Sequence, residues 1–227
     1  MNGLLERIRP IGLGLFFGVI FLITLVAQSL AGWFDFNEQQ TAARLFPIPY
    51  LDYITSASFA TDVTENWQSE YLQFLLFIAV SIWLVHRGST ESKELEKVGR
   101  ESDKEQLVGK YAREDSPKWA KVEGWRRALY SHSLLTVMGV IFVASWAVQA
   151  VAGRAAFNEQ QLLDYQAPVP LLEYVMSADF WNRTFQNWQS EFLAVGSMVV
   201  LTVYLRERGS PQSKPVGTPH AETAAEG

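Results

Sequence analysis

The sequence predicts an all-α integral membrane protein: four transmembrane helices arranged as two tandem helical-hairpin repeats in parallel orientation, with short outer helices and an inner interfacial helix. Three observations carry that prediction. Nearly half of the residues are hydrophobic, yet the charged ones crowd into a central block and the two ends, a segregation that marks membrane proteins. Four apolar stretches follow one another along the chain. The second pair repeats the first at a fixed spacing.

Ile11 to Gly32 and Ser133 to Gly153 carry no charged residue. Each is long enough to cross a hydrocarbon core of about 30 Å at roughly 1.5 Å per residue. Tyr71 to Val85 and Phe192 to Leu205 are shorter than the usual ~20 residues. Each of these crosses only if its helix begins earlier and takes the preceding Asn-Trp-Gln-Ser-Glu sequence with it. The spans are therefore expected at about 11–32, 67–86, 133–153 and 188–206. The first span also resembles a secretory signal, with Arg7 and Arg9 in front and Ser29-Leu30-Ala31 as a cleavage-like site. Its apolar run exceeds the ~7 to 15 residues of a signal core, and a near copy lies in mid-chain, so it reads as a retained span.

The offset between the halves is constant. Gln28 and Gln149, Asn37 and Asn158, Pro47 and Pro168, Glu70 and Glu191, and Arg87 and Arg208 are each 121 positions apart. Between Gln28 and Lys93, roughly 40% of positions match their partners without a gap, a strong sign of duplication. The shared blocks are GVIF, FNEQQ, P-x-P, NWQSE and RGS. Two spans per copy give both copies the same orientation, and the pseudo-twofold axis runs along the membrane normal. The expected layout is a first hairpin repeat at 8–93, a charged cytoplasmic linker with an interfacial helix at 94–128, a second repeat at 129–214 and a disordered tail at 215–227.

Of the 19 Lys and Arg residues, only Arg44, Arg154 and Arg183 lie in the stretches that link paired spans. The positive-inside rule then places both termini and the central block in the cytoplasm of a multi-pass inner-membrane protein. Trp67, Trp119, Trp125 and Trp188, with Arg87 and Arg208, fall near span ends and read as interface anchors. Ser116-Pro117 offers an N-cap and a first-turn proline for a helix on whose apolar face Trp119, Val122, Trp125 and Leu129 lie. Gly14 and Gly18 form a G-x-x-x-G, but Leu135 stands at the position equivalent to Gly14, which weakens the motif.

In each P-x-P segment the second proline, Pro49 or Pro170, is expected to open a short outer helix with Asp52 or Glu173 in its first turn. Ser58 and Asp179 are the expected N-caps of a longer helix running through NWQSE. The alternative starts that helix at Asn66, with the asparagine itself as cap. By depth, Gln28 meets Glu70 and Gln149 meets Glu191. Asn37, Glu38, Asn66, Asn158, Glu159 and Asn187 complete a polar cluster beneath the outer face.

Such a cluster clamps each hairpin by interhelical hydrogen bonds, or serves as an ion or proton site. The preferred reading is a non-enzymatic envelope scaffold or accessory protein. The alternatives are a small carrier or proton-linked channel and, third, a membrane-embedded enzyme. No nucleophile with a base, no cofactor motif and no metal-ligand spacing is present, and His86, His132 and His220 form no ligand set. Zero cysteines exclude disulfides and thiolate chemistry. The net charge of -5 argues against nucleic acid as a partner. The expected partners are the lipid bilayer and either an envelope protein or a second copy of the chain.

With FNEQQ, NWQSE and RGS together, the chain resembles a family of small bacterial integral membrane proteins defined only as a domain of unknown function. The resemblance covers most of the chain and implies a bacterial inner-membrane protein. It brings no catalytic residue.

Overall fold

The computed structural model describes residues 9–224. Among these residues the protein is all-α. It comprises α1 (Gly12–Ala42), α2 (Tyr50–Ile54), α3 (Ala57–Val80), α4 (Lys118–Lys121), α5 (Trp125–Ser131), α6 (Ser133–Leu163), α7 (Leu171–Val175) and α8 (Ala178–Tyr204). Two helices are long and apolar enough to cross a membrane, the 31-residue α6 and α1 with its preceding turn from Arg9. The described residues form two compact units. One runs up to Val63 and adds Ala150–Leu171; the other holds Thr64–Gln149 and Leu172 onward.

In the first unit, α1 does not stop at Gly32, where its apolar run ends, but continues through FNEQQ to Ala42. The intervening residues contain neither proline nor a competing cap, so nothing breaks the backbone ladder before Arg44. There the chain turns left-handed (φ 62°), Leu45 N–H reaches the Gln40 carbonyl at 2.8 Å and Arg44 N–H reaches Thr41 at 3.0 Å. This is a Schellman ending on a residue other than glycine. The end of α6 repeats it at Tyr165 (φ 58°), with Gln166 N–H on Gln161 at 2.7 Å.

Pro49 caps α2 from outside the helix (ψ 155°) instead of occupying its first turn, while Asp52 lies in that turn as expected. The Tyr50 and Ser29 hydroxyls bond at 2.7 Å, tying α2 to α1. Tyr53, 2% exposed, is flanked by Phe36 and Phe59 at 5.6 and 5.4 Å, and its hydroxyl lies over Gly32. Ser56, not Ser58, then begins α3 by accepting the Phe59 N–H at 3.2 Å. In the second unit Ser177, not Asp179, does the same for Phe180 at 3.3 Å. The serine that ends the preceding turn already has extended backbone and a hydroxyl to offer, so capping occurs two residues earlier than the expected positions. Both long helices consequently run unbroken through NWQSE, and neither starts at its asparagine.

The cytoplasmic-side expectations need two corrections. The helix expected across Trp119 to Leu129 is broken into α4 and α5, because Val122 is extended (ψ 169°) and Gly124 adopts φ 80°. Trp119 and Trp125 nonetheless remain adjacent, with rings 6.3 Å apart. The tail expected to be disordered is ordered as successive turns up to Ala224, and residues 225–227 lie outside the described part. Its anchor is Lys214, 1% exposed, which donates to the carbonyls of Gly88, His220 and Glu222 at 2.6, 3.0 and 3.0 Å. Burial pushes its pKa down, Arg206 adds to this, and Glu222 opposes it. The RGS turns are alike in detail: Ser92 accepts from His86 N–H at 2.8 Å, and Ser213 accepts from Glu207 N–H at 2.9 Å.

A Cβ at Gly32 would stand 2.1 Å from the Tyr53 hydroxyl, whereas one at Gly14 would meet nothing within 4 Å. Tyr53 is wedged between two rings and cannot swing aside. Gly32→Ala is therefore expected to destabilise by about 1–3 kcal/mol through overpacking. Gly14→Ala is expected to raise the melting temperature through helix propensity. Thermal unfolding of the two variants in detergent checks the contrast.

Candidate functional site

The residues shared by the two copies were expected to meet beneath the outer face, and the structure sends them to different tasks. In Pro47-Ile48-Pro49 only Ile48 has a backbone N–H to donate. Asn37 serves both polar groups of that residue: its Oδ1 accepts Ile48 N–H at 2.8 Å and its Nδ2 donates to the Ile48 carbonyl at 3.1 Å. Trp33 adds a second donor to that carbonyl at 2.8 Å. Asn158 holds Val169, between Pro168 and Pro170, with the same two bonds at 2.8 and 3.0 Å. FNEQQ and P-x-P are thus two halves of one loop clamp. Both ends of the Asn37 and Asn158 amides are committed to it, which takes these residues out of the expected carboxylate cluster.

The other members of the expected cluster are dispersed. Gln28 and Glu38 are exposed on α1. Glu159 accepts a long bond of 3.4 Å from Gln40. Asn187 bonds back to the Arg183 carbonyl at 2.9 Å, and Ser69 donates to the Asn66 carbonyl at 2.8 Å. Gln149 is fully enclosed, yet neither end of its amide has a hydrogen-bond partner, so the expected bond to Glu191 is not made. Glu70 is exposed and Glu191 half-buried. Of the expected anchors, Arg87, Arg208, Trp67, Trp119 and Trp125 are exposed and Trp188 is half-buried.

What the NWQSE segments do is meet each other. In the second unit, Trp188 Nε1 of α8 donates to Gln68 Oε1 of α3 at 2.8 Å. The Gln68 amide is completed by a bond from Nε2 to the Glu65 carbonyl at 3.0 Å, and the side chain is 0% exposed. About one turn earlier in both helices, Arg183 Nη1 of α8 lies 3.2 Å from Glu65 of α3, and its Nε lies 3.5 Å from Asp179. Burial works against the Arg183 charge, but Glu65 and Asp179 outweigh it and hold its pKa above the ordinary value. Tyr174, also 0% exposed, donates its hydroxyl to Asp179 at 3.1 Å. Glu70 of α3 follows Gln68 by two residues, and Glu191 of α8 follows Trp188 by three.

Behind this seam stands Trp146 of α6, whose mid-span position sets it apart from the tryptophans at span ends. Its ring contacts Phe180, Trp181 and Trp188 at centroid distances of 6.2, 6.1 and 5.9 Å. Sequence reasoning also missed Glu65 and Arg183, because neither occurs at the equivalent position of the other copy; their opposite charges just before the two NWQSE segments were the available signal. Among the described residues no group of three His, Asp or Glu is placed to hold a metal. An open cavity of about 600 Å³ lies beside Lys214, but that ammonium is already engaged by backbone carbonyls. The arrangement binds α3 to α8 and packs both against Trp146 of α6.

Tyr53 and Tyr174 give the site a pH dependence. Burial pushes both phenols above the ordinary 10.0, with Asp62 and Asp35 adding to the effect at Tyr53 and Asp179 at Tyr174. A raised tyrosine pKa means that the folded protein keeps its proton when the unfolded chain has begun to lose it. Stability from this source is complete below pH 10 and lost as pH rises beyond it. Melting temperatures measured from pH 9 to pH 12 are expected to fall more steeply for the wild type than for the Tyr53→Phe, Tyr174→Phe double variant.

A family model described as a domain of unknown function (DUF6766) matches residues 5–225. No curated protein and no solved structure matches the chain. Matched over nearly its whole length, the chain belongs to the DUF6766 family.

Proposed function

We propose that the chain is a four-span bacterial inner-membrane protein that acts as a non-enzymatic envelope scaffold or accessory protein. The observation that carries this reading is how the motif polar groups are employed. Asn37 and Asn158 close loops, Ser92 and Ser213 close turns, and Gln68 with Trp188 joins α3 to α8. Groups engaged in this way fix a shape and leave no reactive constellation.

The four-span part rests on α3 and α8. Both carry polar residues in mid-helix, which lowers their apolarity, but 24 and 27 residues reach across about 36 and 40 Å. With α1 and α6 they make two hairpins in parallel orientation, their outer loops at the P-x-P segments and their inner ends at the RGS turns. The chain has no cysteine, so single introduced cysteines report topology without background. In intact spheroplasts an impermeant maleimide is expected to label Phe46→Cys and Tyr165→Cys, both almost fully exposed, and to label Lys104→Cys only after lysis. Labelling of Lys104→Cys in intact cells would sink the orientation.

One observation favours a second reading, a small carrier or proton-linked channel. Glu70 and Glu191 occupy positions 121 residues apart in the two NWQSE segments, and neither is paired with a basic side chain among the described residues. Thermal unfolding across pH and a panel of monovalent and divalent chlorides separates the two readings. The scaffold predicts that Glu70→Gln with Glu191→Gln shifts stability by the same amount in every salt. Stabilisation of the wild type alone by one ion would replace the scaffold by the carrier.

A further inference from the structure

Among the side chains of the second unit with buried polar atoms that the protein itself does not satisfy, three lie on α6 and α8: Gln149 at both ends of its amide, Thr184 at its hydroxyl and Trp146 at its indole nitrogen. Gln149 and Thr184 are 0% exposed. Groups so enclosed are costly unless something hydrogen-bonds them. Other helical hydroxyls in the chain show the usual remedy. Thr24, Thr61, Thr136 and Ser145 each donate to the carbonyl four residues earlier, at 2.7 to 2.9 Å. Thr184 has that option at Phe180 and does not take it.

The three groups come from one neighbourhood. Thr184 lies one helical turn from Phe180, Trp181 and Trp188, on the face they share, and all three rings contact Trp146. Trp146 therefore packs on the face of α8 that carries Thr184, and Gln149 follows one turn later on α6. We infer that Trp146, Gln149 and Thr184 form an internal binding site for a water molecule between α6 and α8. The chemistry of the set selects the occupant. It offers the indole N–H, the amide N–H groups and the hydroxyl as donors, with the amide and hydroxyl oxygens as acceptors, and it carries no formal charge. A cation would face N–H groups, and an anion would meet no positive side chain, since neighbouring Arg183 is committed to Glu65 and Asp179. Water both donates and accepts, and two to four polar partners are what an internal water needs.

The site makes α6 and α8 depend on a shared solvent molecule at the level of the aromatic seam, and this goes beyond the scaffold reading. Its test uses the full chain in lipid nanodiscs. Thr184→Val and Gln149→Met keep side-chain volume while removing the polar atoms. If water bridges them, each substitution lowers the melting temperature by about 2–4 °C, and the double variant falls no further than the worse single one, because the same molecule is lost. In indole-¹⁵N tryptophan-labelled protein, magnetisation transfer from water to the Trp146 N–H, assigned by its loss in Trp146→Phe, is expected in the wild type and absent in the double variant. A rise in melting temperature for Thr184→Val, additive losses in the double variant, or no transfer from water to Trp146 would each overturn the site.

Discussion

A residue between two prolines owns the only backbone N–H in its tripeptide, and the structure is organised around satisfying it. An asparagine amide has one donor and one acceptor end and fits such a residue with two bonds, at Ile48 in the first copy and Val169 in the second. The consequences run along the chain. Fixing Ile48 delivers α2 to the side of α1, where Tyr50 reaches Ser29 and Tyr53 covers Gly32. The turn after Tyr53 brings Ser56 to cap α3, so that α3 starts early enough to carry NWQSE in its middle. In the second copy Ser177 caps α8 in the same way.

Most shared residues shape each copy, and the bond that joins the two, Gln68 to Trp188, is flanked by unshared ones. Glu65, Arg183 and Trp146 have no counterparts of the same type 121 positions away, yet they surround the hydrogen bond between the NWQSE segments. An ion pair with Arg183 still 41% exposed contributes at most about 1 kcal/mol. Each aromatic contact of Trp146 adds about 0.5–1.5 kcal/mol beyond its buried area. The seam is accordingly held more by rings than by charges. It also makes the copies unequal, since Gln68 is enclosed while its equivalent, Gln189, is exposed.

The all-α character and the two apolar helices were legible because an uninterrupted apolar run of some twenty residues has no stable home in water except the centre of a large core. The continuous helices through NWQSE were legible for a related reason, as the apolar runs alone were too short. That α1 runs on to Ala42 is not legible from the apolar run, because the helix ends with a left-handed residue at Arg44 that no glycine announces. Depth alone points Asn37 toward the carboxylates, whereas the single N–H of the P-x-P tripeptide decides its partner. Which copy's glutamine meets which copy's tryptophan depends on how α3 and α8 pack, and a repeat spacing carries no information about that.

The loop clamp spans only 11 residues, whereas Gln68 and Trp188 are 120 apart. A loop of that size closes in roughly 10–100 ns. A ribosome adding about 5–20 residues per second takes on the order of 10 s to deliver the tryptophan. During synthesis the first outer turn is therefore finished almost as soon as it emerges, while Gln68 waits for the far half of its own chain. The order of assembly is written into those two separations: the Asn37 clamp closes early, and the bond between α3 and α8 comes last.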